Sequence, residues 1–235
     1  MKIEVVNAVK EYAGRKVLDI EHMVFKEGGI YGILGLNGSG KSTLLQSIAG
    51  FNKLNEGEII YDGKDFNKVK DEISMMTQRP LLFNCSAGEN IIMGLKFRKT
   101  PKKTIDARFE KYIKYFNINE ILNKNGKKLS GGETQKVALL RTVILESDVI
   151  ILDEPTASMD IESTLASETL IKDIMEDKRT VIFVTHDFYQ AERIADYVIF
   201  MDKGKIIEQG EKDIIFNNPK NAKVKMMLNK WENRV

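Results

Sequence analysis

The residues in this chain best suited to chemistry lie in a run of small ones. Gly35, Leu36, Asn37, Gly38, Ser39, Gly40, Lys41, Ser42 and Thr43 have the G-x-x-x-x-G-K-[ST] spacing of a phosphate-binding loop. Glycines let the backbone turn tightly and aim its N–H groups at phosphate oxygens, and the positive end of a following helix dipole lies under the same anion. Lys41 adds a full charge for the β- and γ-phosphates, and the Ser42 hydroxyl is a hard oxygen ligand suited to Mg²⁺. Far along the chain a second set waits: Val149, Ile150, Ile151 and Leu152 form an apolar run that ends in Asp153 and Glu154. Carboxylates at the tip of a buried strand lie where α/β proteins bind ligands. There Asp153 is placed to hold Mg²⁺, directly or through water, and Glu154 to polarise an attacking water.

For these residues to meet, the chain must supply strands that end at one edge. Residues 30–34 read as a buried strand, and residues 42–49 carry Leu44, Leu45, Ile48 and Ala49 at helical spacing, so the glycine-rich turn lies between strand and helix. The first thirty residues alternate short β-type runs, 3–6 and 17–20, with turn signals at Gly14-Arg15 and Gly28-Gly29, which predicts an antiparallel layer. Residues 80–128 turn helical and polar, with helices expected over 89–95 and 105–116 and Pro101 between them. From Gly131 the pattern predicts helix to about 146, strand 149–152, helix 162–176, strand 180–184, helix 188–195 and strand 197–201. A hairpin at Lys203-Gly204, a short helix and a basic tail from Pro219 follow. Strands alternating with helices imply an α/β fold with a mostly parallel sheet covered on both faces.

A third motif names a family. Leu129, Ser130, Gly131, Gly132, Glu133, Thr134 and Gln135, taken with the lone Gln78 and His186, resemble the signature of the ABC (ATP-binding-cassette) ATPases. The resemblance runs from about residue 2 to about residue 216, with Tyr12, the phosphate loop, Gln78, the signature, Asp153-Glu154, Ser158-Met159-Asp160 and His186 in the family's order. It implies a P-loop NTPase core with an N-terminal antiparallel β layer and a helical insertion. Residues 1–79 and 147–216 would form the catalytic core, 80–146 the helical subdomain and 217–235 the basic tail of one domain. It also implies that Tyr12 stacks on adenine, that Gln78 contacts magnesium and water and senses a membrane partner, and that His186 touches the γ-phosphate. Ser130, Gly131 and Gly132 open a helix whose N–H groups can cap an anion, and in the family they cap ATP held by a partner copy. Leu129, Glu133 and Asp160 would join that interface. Glu133 stands where glutamine is usual, Lys136 where arginine is frequent and Met159 where leucine is frequent, and none of these removes a catalytic role.

The composition fits a subunit of this kind. The 235 residues suit one domain, and 43% hydrophobic with 30% charged residues is an ordinary globular balance. A net charge of +2 gives no overall footprint for nucleic acid, although 96–114 and 220–234 are locally basic. The apolar stretches fall far short of the ~20 residues that cross a bilayer, and the first residues open no signal peptide. Cys85, the single cysteine, excludes an intramolecular disulfide framework, and two histidines make no zinc set. His22 reads as structural, and Trp231 with Met226 and Met227 as packing for a C-terminal helix.

The resemblance therefore implies an ATPase that uses ATP and Mg²⁺, forms an ATP-dependent homodimer and serves transmembrane permease subunits on the cytoplasmic face of the cell membrane. A separate solute-binding protein and an oxyanion or polar amino acid as cargo complete the expectation. The alternative within the family is a non-transport ATPase such as an iron–sulfur assembly subunit.

Overall fold

The computed structural model describes residues 1–232, without the side chains of Glu176, Asp177, Trp231 and Glu232. The packing expected of Trp231, and the end of the basic stretch at Arg234, lie outside the described residues.

The N-terminal layer is a hairpin of β1 (Ile3–Tyr12) and β2 (Arg15–Phe25) around Ala13 and Gly14, both at positive φ. Alternation buries Ile3 and Val5, then breaks at Asn7, whose φ is 48°, so that Ala8 turns inward next. That irregularity is why strict alternation is legible only to Val6. After β3 (Ile30–Leu34) and α1 (Lys41–Ile48), β4 (Glu56–Tyr61) returns to pair with β1, giving the order β2-β1-β4. Gly57 sits against the break, where a Cβ would lie 2.1 Å from the Asn7 carbonyl oxygen. His22 is exposed on β2 rather than packed.

The second sheet carries the site. The chain runs through α2 (Phe66–Val69), β5 (Ile73–Met76), α3 (Ala87–Phe97), α4 (Lys102–Ile113), α5 (Gly131–Val143), β6 (Val149–Asp153), α6 (Ile161–Asp173), β7 (Thr180–Val184), α7 (Phe188–Ile194), β8 (Tyr197–Asp202) and β9 (Lys205–Glu211). It ends in α8 (Lys212–Asn217) and α9 (Ala222–Glu232). The strand order is β5-β6-β7-β3-β8-β9, parallel except for β9. Strands β3, β6 and β7 are buried at every position, which is why they read as unbroken apolar runs. Successive residues face opposite sides. Ile33, Ile151, Ile182 and Ile199 pack with Leu44, Leu45 and Ile48 of α1 and with the β layer, and Leu34, Leu152, Phe183 and Phe200 pack with the other helices.

The helical stretch starts with a capping box on α3, in which Ser86 and Glu89 satisfy each other's backbone N–H groups. It is pinned to the sheet near Glu146, which meets Arg108 at 2.8 Å, Lys111 at 3.4 Å and the Tyr112 hydroxyl at 2.9 Å. After Pro219 the basic stretch contains the C-terminal helix expected of Met226 and Met227. Residues 222–232 form α9, and its Val224, Met227 and Leu228 are buried in the larger core; Met226 is exposed.

Candidate functional site

The phosphate loop leaves β3 at Gly35, whose φ is 147° and where a Cβ would lie 2.2 Å from the Met201 carbonyl oxygen. Only glycine fits there. Gly40, the residue before α1, has φ 102° and offers no side-chain cap, so the first-turn N–H groups of α1 are left to an anion. Lys41 is 6% exposed, and its ammonium donates to the carbonyl oxygens of Gly35 at 2.8 Å and Leu36 at 3.1 Å. Burial holds its pKa below the usual lysine value, while Glu154 and Asp153 pull it back up. The loop thus stores a desolvated cation where a phosphate would arrive.

Asp153 and Glu154 end β6 beside that cation. Asp153 is 2% exposed; burial pushes its carboxyl above the usual range, and the Ser42 hydroxyl acts the other way. Its Oδ1 is buried with no hydrogen-bond partner among the described residues. An orphaned carboxylate oxygen next to a serine hydroxyl is a hard donor set that fits Mg²⁺. Glu154 turns away at φ 49°, a conformation unusual for a side chain of its size. Its N–H donates to the Val184 carbonyl at 3.0 Å, and its Oε2 lies 3.4 Å from Nδ1 of His186. Parallel pairing of β6, β7 and β3 brings all three sequence-distant segments to one edge. There Gly35, Leu36, Asn37, Gly38, Ser39, Gly40, Lys41, Ser42 and Thr43 line a cleft of ≈ 930 Å³ together with Gln78, Glu154 and His186.

The signature lies elsewhere. Ser130 caps α5, its Oγ accepting from the Glu133 N–H at 3.3 Å while Glu133 Oε2 accepts from the Ser130 N–H at 2.7 Å. The Ser130 backbone N–H, with Lys124 at 3.3 Å, holds the Glu133 carboxyl below its usual pKa. Glutamate in place of glutamine is therefore an ionised half of a capping box. A Cβ on Gly132 would lie 2.9 Å from the Ser158 carbonyl oxygen, so the helix start packs closely on the turn leading to Asp160. Asp160 caps α6, accepting from Ser163 N–H at 2.7 Å, and the Ser163 hydroxyl together with that N–H lowers its pKa.

A sequence profile of the ABC transporter family matches residues 18–157. A tungstate uptake system ATP-binding protein of Peptoclostridium acidaminophilum is 41% identical over 92% of this chain and the whole of its own length. The chain belongs to the ABC transporter family. A spermidine/putrescine import ATP-binding protein of Clostridium novyi is 34% identical over 94% of the chain, which spans 65% of that longer relative. Among solved structures, a dimeric ATP-binding cassette in a post-hydrolysis state with ADP and phosphate superposes with a TM-score of 0.82 and 26% identity, covering 89% of this chain and 98% of that one. As an ABC transporter ATPase the chain binds and hydrolyses ATP. No helix among the described residues is long and apolar enough to cross a membrane.

The ABC fold does not bring every singled-out residue to this cleft. Leu129, Ser130, Gly131, Gly132, Glu133 and Asp160 do not line it, and Asp153 lies beneath it. Tyr12 stands at the end of β1, 48% exposed, with the Lys10 ammonium 5.1 Å from its ring centre; Val17 of β2 is the hairpin residue that lines the cleft. Val17 and Phe188 escaped the sequence reading because each looks like an ordinary core residue of its element. Gln135 was read only as the last residue of the signature motif, with no role of its own; its two backbone contacts are described below.

Proposed function

We propose that this chain energises an importer of a small oxyanion, of the tungstate, molybdate or phosphate kind. Two copies would work as a homodimer on the cytoplasmic face of the membrane, beneath separate permease subunits and with a separate solute-binding protein. The observation that carries the cargo is the full-length likeness to a tungstate uptake subunit at 41% identity. The polyamine importer relative is longer and less similar, and nothing favours an iron–sulfur assembly role.

In this reading the loop from Gly35 to Thr43 holds the phosphates, Lys41 neutralises them, and Tyr12 supports the adenine. Ser42, Asp153 and Gln78 would hold Mg²⁺, which supplies charge neutralisation across the β- and γ-phosphates when bound. Glu154 accepts a hydrogen bond from the attacking water and polarises it, and His186, 3.4 Å from that carboxylate, contacts the γ-phosphate. Since the signature residues stand outside their own chain's cleft, Leu129 through Glu133 and Asp160 act on the nucleotide of the second copy. Residues 1–79 and 147–216 would then form the catalytic core and 80–146 the helical subdomain.

The test is ATP hydrolysis by the complex with its permease and binding protein in vesicles. Tungstate or molybdate should stimulate turnover. Stimulation by polyamines or polar amino acids, with none by oxyanions, would overturn the assignment.

A further inference from the structure

Between Glu154 and Asp160 the chain makes a tight loop, and two buried glutamines from different helices grip it. Gln135, one turn into α5 and 3% exposed, donates from Nε2 to the Glu154 carbonyl at 3.2 Å and accepts at Oε1 from the Ser158 N–H at 2.6 Å. Because one partner is a backbone acceptor and the other a backbone donor, the orientation of this amide is fixed by chemistry. Gln190 of α7, 1% exposed, donates to the Thr156 hydroxyl at 3.0 Å. The Glu154 carbonyl also accepts from the Ala157 N–H at 3.3 Å, so Gln135 adds an external tether to a loop that is closed within itself.

We infer that Gln135 is a positioning residue for hydrolysis: it ties the backbone of Glu154 to the signature helix, so that the catalytic carboxylate takes its place from α5. The physical case rests on where the two ends lead. Glu154 sits at φ 49°, a conformation that persists only when its surroundings hold it. Those surroundings are the Val184 carbonyl on one side and Gln135 on the other. The other arm of the same amide holds Ser158, against which Gly132 packs too closely for a Cβ. The start of α5 and the loop that bears the carboxylate therefore form one body. Resting on the trans reading above, this body links the nucleotide capped by Ser130 through Gly132 to the water activated by Glu154 in the same chain.

Gln135→Met removes both hydrogen bonds at nearly constant volume, and Gln135→Glu keeps the acceptor for Ser158 but turns a second acceptor toward the Glu154 carbonyl. For a carboxylate displaced by a fraction of an ångström, kcat should fall about 10- to 100-fold. ATP affinity of the monomer, set by the phosphate loop, should stay within about twofold and KM should follow it. A kcat close to wild type in both variants, or ATP affinity and thermal stability falling together with kcat unchanged per folded molecule, would overturn the role. The trans link is read separately, by sedimentation of Glu154→Gln alone and combined with Gln135→Met. Both should dimerise with ATP and not with ADP. Failure of Glu154→Gln to dimerise would remove the trans reading while the kcat result still decides the positioning of Glu154.

Discussion

Replacing Lys41 by Met separates what the lysine costs from what it contributes. The substitution removes the charge and keeps an unbranched chain of similar volume. Among the described residues the ammonium donates to the Gly35 and Leu36 carbonyls, and its burial outweighs the attraction of Glu154 and Asp153. A lysine whose folded pKa lies below its unfolded one costs stability at neutral pH, and the cost fades as pH rises from the lowered value toward 10.5. The variant without nucleotide should therefore melt no lower than wild type. Binding behaves oppositely. A hydrogen bond to a charged group contributes about 1.5–3 kcal/mol, so losing this one should weaken ATP by roughly 13- to 150-fold. With ATP at ~100 times the wild-type Kd, ligand stabilisation falls from about 2.7 to about 0.3–1.3 kcal/mol. A domain of this length shifts by about 2–4 °C per kcal/mol, so ATP should raise Tm by about 5–11 °C in wild type and by about 1–5 °C in Lys41→Met. Thermal melts with and without ATP measure both effects. An unchanged ATP shift, or a variant that melts several degrees lower without nucleotide, would refute the reasoning.

Glu154→Gln should keep ATP binding and lose about 10²- to 10⁴-fold in multiple-turnover hydrolysis, measured as phosphate release; turnover near wild type would reject Glu154 as the carboxylate that polarises water. Asp153, its pKa raised mainly by burial, makes folding less favourable as pH rises above 3.8 through its raised value, so Asp153→Asn should be more stable than wild type at neutral pH and lose that advantage in acid. Urea titrations across that range check the sign, and the same variant should fail to hydrolyse ATP with Mg²⁺. Tyr12→Phe should bind ATP like wild type and Tyr12→Ala more weakly by about 1–3 kcal/mol; equal affinities by calorimetry would leave Tyr12 a framework residue and pass the adenine contact to others such as Val17.

The sequence by itself determined the elements whose signal is local. Buried parallel strands read as unbroken apolar runs at Ile30 to Leu34, Val149 to Asp153 and Thr180 to Val184, and the glycines of the phosphate loop sit where φ of 147° and 102° allows nothing else. It also pointed to ATP as the ligand, which membership of the ABC transporter family bears out. Features that depend on a distant neighbour were not legible. Strands β4 and β5 carry little alternation because β4 pairs at a bulge with Asn7 and β5 is a short edge with two methionines. At the lysine-rich end a helix was expected, but that Val224, Met227 and Leu228 reach the core while Met226 stays exposed depends on the fold. The structure also decided that the Glu154 carbonyl and the Ser158 N–H meet one amide of Gln135, and that the signature stands apart from its own chain's cleft. Local sequence fixes which backbone conformations and side-chain chemistries are available, whereas hydrogen bonds between residues far apart in the chain exist only after the sheet has set which strand ends share an edge.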